Sequence, residues 1–188
     1  PQSARHGRLI VCELEAQALP RVQVVLDVHP ESHRGRGPDG SFEWAVRVAA
    51  SFAEDWIGQG AEVEIVSGAR QVVAAGGTVA GRHVRMLDVM ARLTPDDSLT
   101  LADVLNGSSC RDARAGSRIV IATTRSALEQ PPRNRDERFV VLNADAFAGD
   151  AGSGRPHVAR HSLPVRPWIW IDDPSNVPGQ VRRGGKEH

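Results

Sequence analysis

A chain of 188 residues with 40% hydrophobic content is long enough for one domain to bury a stable core without disulfide or metal staples. Its 23 basic and 23 acidic residues cancel, so no overall field draws it to nucleic acid or to an anionic membrane surface. Cys12 and Cys110 have neither metal-site spacing nor a disulfide framework, no apolar run approaches the roughly 20 residues of a membrane helix, and no signal-peptide pattern opens the chain, which together imply a reducing, cytoplasmic setting for this fragment without membrane contact of its own.

Pro1 to Gly7 has no initiator Met and runs straight into Arg8 to Glu15, an extended segment, so 1–20 reads as the lead-in from a longer protein. Arg21 to His29 is a Val-rich run expected to form a central strand buried on both faces. Between His29 and Gly40 the composition turns to His, Arg, Gly, Pro and Asp, the chemistry of a long loop. Apolar residues then keep helical spacing from Phe42 through Ala45, Ala49 and Ala53 to Ile57, with Ser41 as N-cap and Gly58 and Gly60 as stops. Glu62 to Ser67 is the next strand, and Gln71 to Ala75 its hairpin partner across a turn at Gly68, ended by Gly76-Gly77.

Val84, Leu87, Met90 and Ala91 form a second helical stripe, broken by Pro95 and Asp96-Asp97 before a short helix from Leu101 to Leu105. Ser117 to Thr123 and Arg138 to Asn143 are further buried strands, separated by a helical fragment and the polar loop from Gln130 to Glu137. Pro167 to Ile171 is the last strand; Trp168 and Trp170 alternate along it and are expected to share one face, as core or edge packing or as an aromatic anchor for a partner. The Gly/Arg-rich tail at 174–188 is expected to be disordered.

Strands alternating with helices predict an α/β domain over 21–173, a three-layer α/β/α, Rossmann-like fold with a mostly parallel sheet and right-handed crossovers. Ligands in such sheets sit at the carboxyl ends of the strands, beside the switch in strand order, which points at the loops after Leu26-Asp27 and Ala122-Thr123.

The Val-rich strand ending in Asp27, the loop, the long helix, the strand with its hairpin, and then Leu93-Thr94-Pro95 through Thr100-Leu101-Ala102 resemble, in that order, the von Willebrand factor A-type fold. More narrowly, Ser3 to Val11 with Glu13, together with Glu43-Trp44-Ala45 and Ala49-Ala50-Ser51, resemble the C-terminal domain of bacterial domain-of-unknown-function family 58 proteins. The likeness runs from Ser3 to about Asp173, with its best-defined motifs before Gly107. It implies a detachable C-terminal domain of a protein carrying N-terminal membrane helices, and a MoxR-type AAA ATPase as partner.

The resemblance also implies a metal-ion-dependent adhesion site, in which an Asp-x-Ser-x-Ser loop, a Thr and a second Asp surround a divalent ion with hard oxygen donors. Here the first loop reads Asp27-Val28-His29-Pro30-Glu31, so the carboxylate stays while His and Glu replace both hydroxyls. Thr100 falls where the Thr is expected, and Thr123-Thr124-Arg125 replaces the second Asp with a cation nearby. A degenerate site is therefore expected, with no cofactor; Asp27 then caps loop amides, and His29, His33 and Arg34 are solvated. A divalent metal held by Asp27, His29, Glu31 and Thr100 is the alternative, since mixed nitrogen and oxygen donors suit Zn²⁺ or Mn²⁺.

Other patterns carry less. His157 and His161 have the i,i+4 spacing of a zinc helix but lie among Gly154, Pro156 and Pro164, and Gly76 to Arg82 lacks the Lys-Ser/Thr ending of a phosphate loop. There is no G-x-S-x-G nucleophile turn, and nothing beside Cys110 lowers its pKa. The expectation is a non-enzymatic protein-interaction module using His29, Glu31, Ser32, Thr100, Thr123, Thr124 and Arg125. A metal-dependent hydrolase or phosphotransfer enzyme working through Asp27, His29 and Glu31 is the second reading, weakened by the lack of a complete catalytic constellation.

Overall fold

A computed structural model describes residues 21–74, 76–107, 117–130, 137–148 and 158–184. The expected lead-in strand from Arg8 to Glu15, both cysteines, Ala75, most of the polar loop before Glu137, and His157 lie outside these residues.

Five strands, β1 (Arg21–Leu26), β2 (Glu62–Ser67), β4 (Ser117–Thr123), β5 (Glu137–Leu142) and β6 (Pro167–Ile171), run parallel, and β3 (Arg70–Ala74) is antiparallel to β2. They form one six-stranded sheet in the order β3-β2-β1-β4-β5-β6. With helices α1 (Ser41–Gly58), α2 (Val79–Ala91), α3 (Leu101–Asn106), α4 (Thr124–Leu128) and α5 (Val177–Gly184), this is a three-layer α/β, Rossmann-like fold. Among the described residues no helix is long and apolar enough to cross a membrane.

Alternation decides which side each strand residue serves. Val22, Val24 and Leu26 of β1 enter the larger core with Ile119 and Ile121 of β4, beneath α1. Ala45, Ala49 and Ala53, each four residues apart and at most 1% exposed, give α1 a face of small residues that packs on β1, β2 and β4. Val25, Val120 and Val141 enter the second core, against α3 and Ala127 of α4.

Four details differ from expectation. Ser41 is the first residue of α1 and Gly40 its cap, because the Ser41 hydroxyl is engaged with the preceding loop. The buried stripe of α2 is Arg82, Met86 and Met90, whereas Val84 is 68% and Leu87 44% exposed. Arg82 sets that rotation: its stem is buried, and its guanidinium donates to the carbonyls of Ala61 at 3.2 Å and Gly60 at 3.4 Å, just past α1. Trp168 and Trp170 face opposite cores, because a β-bulge places Phe139 opposite Pro167 and Val140 opposite Ile169, leaving Trp168 unopposed. Trp168 turns onto Phe52 of α1, 5.6 Å between ring centroids, while Trp170 packs with the second core.

The fourth concerns the tail, which is helical from Val177 to Gly184 rather than disordered. Val177 and Val181, one helical turn apart, dock on the larger core, and Gln180 clamps the entry by donating to Asp172 at 2.7 Å and accepting from the Asp173 amide.

Near the amino ends of the strands a polar ladder crosses the second face. Gln71 and Gln23 both donate to Glu64, Arg118 donates to Gln23 at 2.7 Å, and Arg118 pairs with Glu137 at 2.6 Å. Gln23 is wholly buried and Glu64 is 4% exposed, so these groups depend on one another. Arg118→Ala is expected to cost roughly 3 kcal/mol in urea unfolding, since it strips a charged donor from Gln23 and Glu137 together. Arg92→Ala, which breaks the exposed Arg92–Asp88 pair, is expected to leave the midpoint unmoved.

Candidate functional site

β1 and β4 are neighbours, yet the chain leaves β1 toward α1 on one face and β4 toward α4 on the other. The loops after these strands therefore diverge and leave a cleft at the switch in strand order. Its floor extends the sheet by one bond, from the Asp27 amide to the Ile121 carbonyl at 3.0 Å.

The loop after β1 is locked by its own side chains. Asp27 Oδ1 accepts from the His29 amide at 3.1 Å, the local turn bond to which aspartate is suited. His33 Nε2 contacts the Asp27 carbonyl at 3.0 Å and Nδ1 contacts Ser41 Oγ at 3.2 Å. A carbonyl only accepts, so Nε2 carries the hydrogen. Ser41 Oγ accepts from the Arg34 amide at 2.8 Å, which leaves its own hydrogen for Nδ1. His33 is thus the neutral Nε2–H tautomer, buried and set edge-on against Phe42. Burial holds its pKa below the ordinary 6.5, against the opposing pull of the Asp27 charge and carbonyl and with a smaller push from His29. Further on, Gly35 takes φ +75°, and a methyl group there would collide with the Phe147 carbonyl oxygen.

Two capping boxes complete the frame. The Thr100 amide donates to Asp103 Oδ2 at 3.1 Å, its hydroxyl donates to the same oxygen at 2.6 Å, and it accepts from the Asp103 amide at 3.2 Å. These bonds hold the Asp103 carboxyl below the usual range. Thr123 and Ser126 cap α4 reciprocally, and Thr124 Oγ1 accepts from the Ala144 amide at 3.3 Å.

The cleft between these loops has a volume of about 180 Å³. The β1 loop contributes His29, Glu31 and Ser32, and the start of α3 contributes Thr100 and Leu101. Arg125, Ser126 and Glu129 close the far wall. Five of the expected partner-loop residues, His29, Glu31, Ser32, Thr100 and Arg125, are brought together. Thr123 and Thr124 are not: both are wholly buried behind the wall, and their hydroxyls serve the cap and the Ala144 amide. Sequence reasoning missed Leu101, Ser126 and Glu129, although Arg125 and Glu129 have the i,i+4 spacing that puts two residues on one side of a helical turn.

The residues present do not fit a divalent metal. Among the described residues no three His, Cys, Asp or Glu side chains are placed to hold one, so Asp27, His29 and Glu31 do not assemble into the alternative site. The Thr100 hydroxyl is spent on Asp103, and Asp27 offers one buried oxygen without a partner, Oδ2, which falls short of a hard-oxygen shell. A scan against protein-family models finds no match to this chain, and neither does a search of curated proteins.

Two outcomes follow. In millimolar Mg²⁺, Mn²⁺ or Zn²⁺ the melting temperature is expected to equal that in EDTA, since only a ligand that binds the folded state raises it, with the logarithm of one plus the ratio of ligand concentration to Kd. A dose-dependent rise abolished by Asp27→Ala is the contrary result. The second outcome concerns pH. The folded chain keeps His33 neutral more firmly than the unfolded chain does, so acidification loads protons preferentially onto the unfolded state. The His33 contribution is complete above about pH 6.5 and is lost as pH falls below it. Melting temperature between about pH 7.5 and 5 is expected to fall more steeply in wild type than in His33→Gln.

Proposed function

We propose that the chain is a non-enzymatic protein-interaction module, a von Willebrand factor A-like domain with a degenerate metal-ion-dependent adhesion site, whose partner docks over the β1–β4 cleft. The carrying observation is the gathering of Arg125, Glu31 and Glu129 on the walls of one cleft at the strand-order switch, without a hydrogen bond or ion pair to any of their side chains among the described residues. Charged groups left unengaged at the place where such sheets take their ligands are suited to a partner.

The absence of catalysis is part of the same reading. The Thr100 and Ser126 hydroxyls on the cleft wall are held in helix caps, which favours a wall that binds over one that attacks. The resemblance to domain-of-unknown-function family 58 proteins makes a MoxR-type AAA ATPase the first partner to try, and implies a longer protein that carries N-terminal membrane helices.

Glu129 is exposed at the cleft rim, so Glu129→Trp occludes the cleft without touching the core. In calorimetry with purified ATPase, this variant is expected to lose at least about tenfold in affinity, as when an interface centre is blocked. Val84→Trp on the exposed face of α2 is expected to bind as wild type does. Equal losses from both, or from neither, would place the docking surface elsewhere.

A further inference from the structure

We infer that the cleft recognises a charge-paired peptide segment, one acidic side chain next to one basic side chain, directly and without a metal ion. This rests on the cleft being the docking site and specifies what it takes.

Size sets the first limit. A volume of about 180 Å³ admits the ends of one or two side chains, whereas a helix with its side chains is about 10–12 Å across and cannot enter. What enters is therefore the side-chain tips of a segment that docks over the cleft.

Charge sets the second. Arg125 is the cleft's guanidinium, a planar fork of donors that matches a carboxylate by two parallel bonds. Glu129 follows it by one helical turn and Glu31 stands on the facing loop, and among the described residues neither is paired with Arg125 or with any other cation. A lone carboxylate entering this space gains Arg125 but meets two like charges, and a lone cation gains the glutamates but meets Arg125. Only a ligand bearing both signs answers every charge on the walls.

The hydroxyl-bearing residues refine the fit. Ser32, Thr100 and Ser126 share the lining; the Thr100 and Ser126 hydroxyls keep their hydrogens in the helix caps, so what these two offer a ligand is an oxygen that accepts from an ammonium or guanidinium beside the glutamates. Leu101 supplies an apolar contact for the aliphatic stem of a lysine or arginine. A divalent ion is excluded from this role by its donor set and by the cation that already stands there.

The test uses the full chain and acetylated, amidated pentapeptides of alanine and glycine carrying an Asp-Lys pair, Asp alone, Lys alone, or an Asn-Gln pair. Binding is followed by amide chemical shifts and by calorimetry, with and without EDTA. The Asp-Lys peptide is expected to bind at least about tenfold tighter than either singly charged peptide, to shift the amides of Ser32, Leu101 and Ser126, and to be indifferent to EDTA. Arg125→Ala abolishes binding, and Arg125→Lys, which keeps the charge but loses the fork, weakens it. The double variant Glu31→Gln with Glu129→Gln reverses the preference, so that the Asp-only peptide binds at least as well as the paired one. That reversal is a readout a merely structural role would not produce.

Binding of the Asn-Gln peptide as tight as the paired one, loss of binding in EDTA, or no binding by any peptide overturns the charge-pair assignment. If Glu129→Trp still blocks the protein partner in that event, the docking site stands and only its chemistry falls. If the peptides behave as expected while Glu129→Trp leaves the partner bound, the charge-pair site is upheld and the protein docks elsewhere.

Discussion

The parallel pairing of β1 with β4 governs the rest of the molecule. Both strands are buried on both faces toward their carboxyl ends, where Val24 to Leu26 and Ile119 to Ala122 are all apolar, and their backbone groups find partners only in each other and in the next strands out. Chains that emerge from adjacent parallel strands toward opposite faces cannot stay together, and the gap between them is the cleft. The site is thus a consequence of topology before any side chain is chosen.

What side chains then decide is whether the gap has a stable shape. Nearly every polar group in its frame is committed: Asp27 to the His29 amide, His33 to the Asp27 carbonyl and Ser41, Thr100 to Asp103, Thr123 to Ser126, Thr124 to the Ala144 amide. All but the Thr124 bond are local in sequence, and together they satisfy loop amides and a carbonyl that a buried turn would otherwise leave orphaned. The charges on the walls are the exception. The same fold that pairs Arg118 with Glu137 across the sheet leaves Arg125 and Glu129 apart, four residues separated with the cation first, the less favourable order for such a pair.

The strands were legible because parallel strands carry dense runs of β-branched and aromatic residues: Glu62 to Ser67 and Ser117 to Thr123 inside the sheet and Pro167 to Ile171 at its edge agree with the structure to the residue. Helical faces were less so. On α2 a charged residue is buried by its stem while Val84 and Leu87 face outward, and a pattern reading that sorts residues by polarity places Arg82 outside. The short α5 was hidden among Gly and Arg, its Val177 and Val181 too few to register as a period. The strand-order switch made the site's location legible, but not which hydroxyls line it. Thr123 and Ser126 have similar chemistry, and only the turn of a five-residue helix buries the first and brings the second to the cleft.

On the proposed reading a guanidinium stands where the resemblance implies a metal ion, and such an exchange changes more than affinity. A divalent ion attracts any carboxylate but must first shed water, so selection by such a site rests mainly on charge and on the cost of dehydration. A guanidinium brings its donors in a fixed fork and stays charged throughout the physiological range, so approach angle and neighbouring charge both enter the selection. With Glu31 and Glu129 on the same walls, the local field is mixed, and on the proposed reading a purely acidic surface would be rejected rather than gathered in. A formal net charge of zero over the whole chain fits that mode, because recognition by opposed charges at close range needs no long-range attraction to precede it.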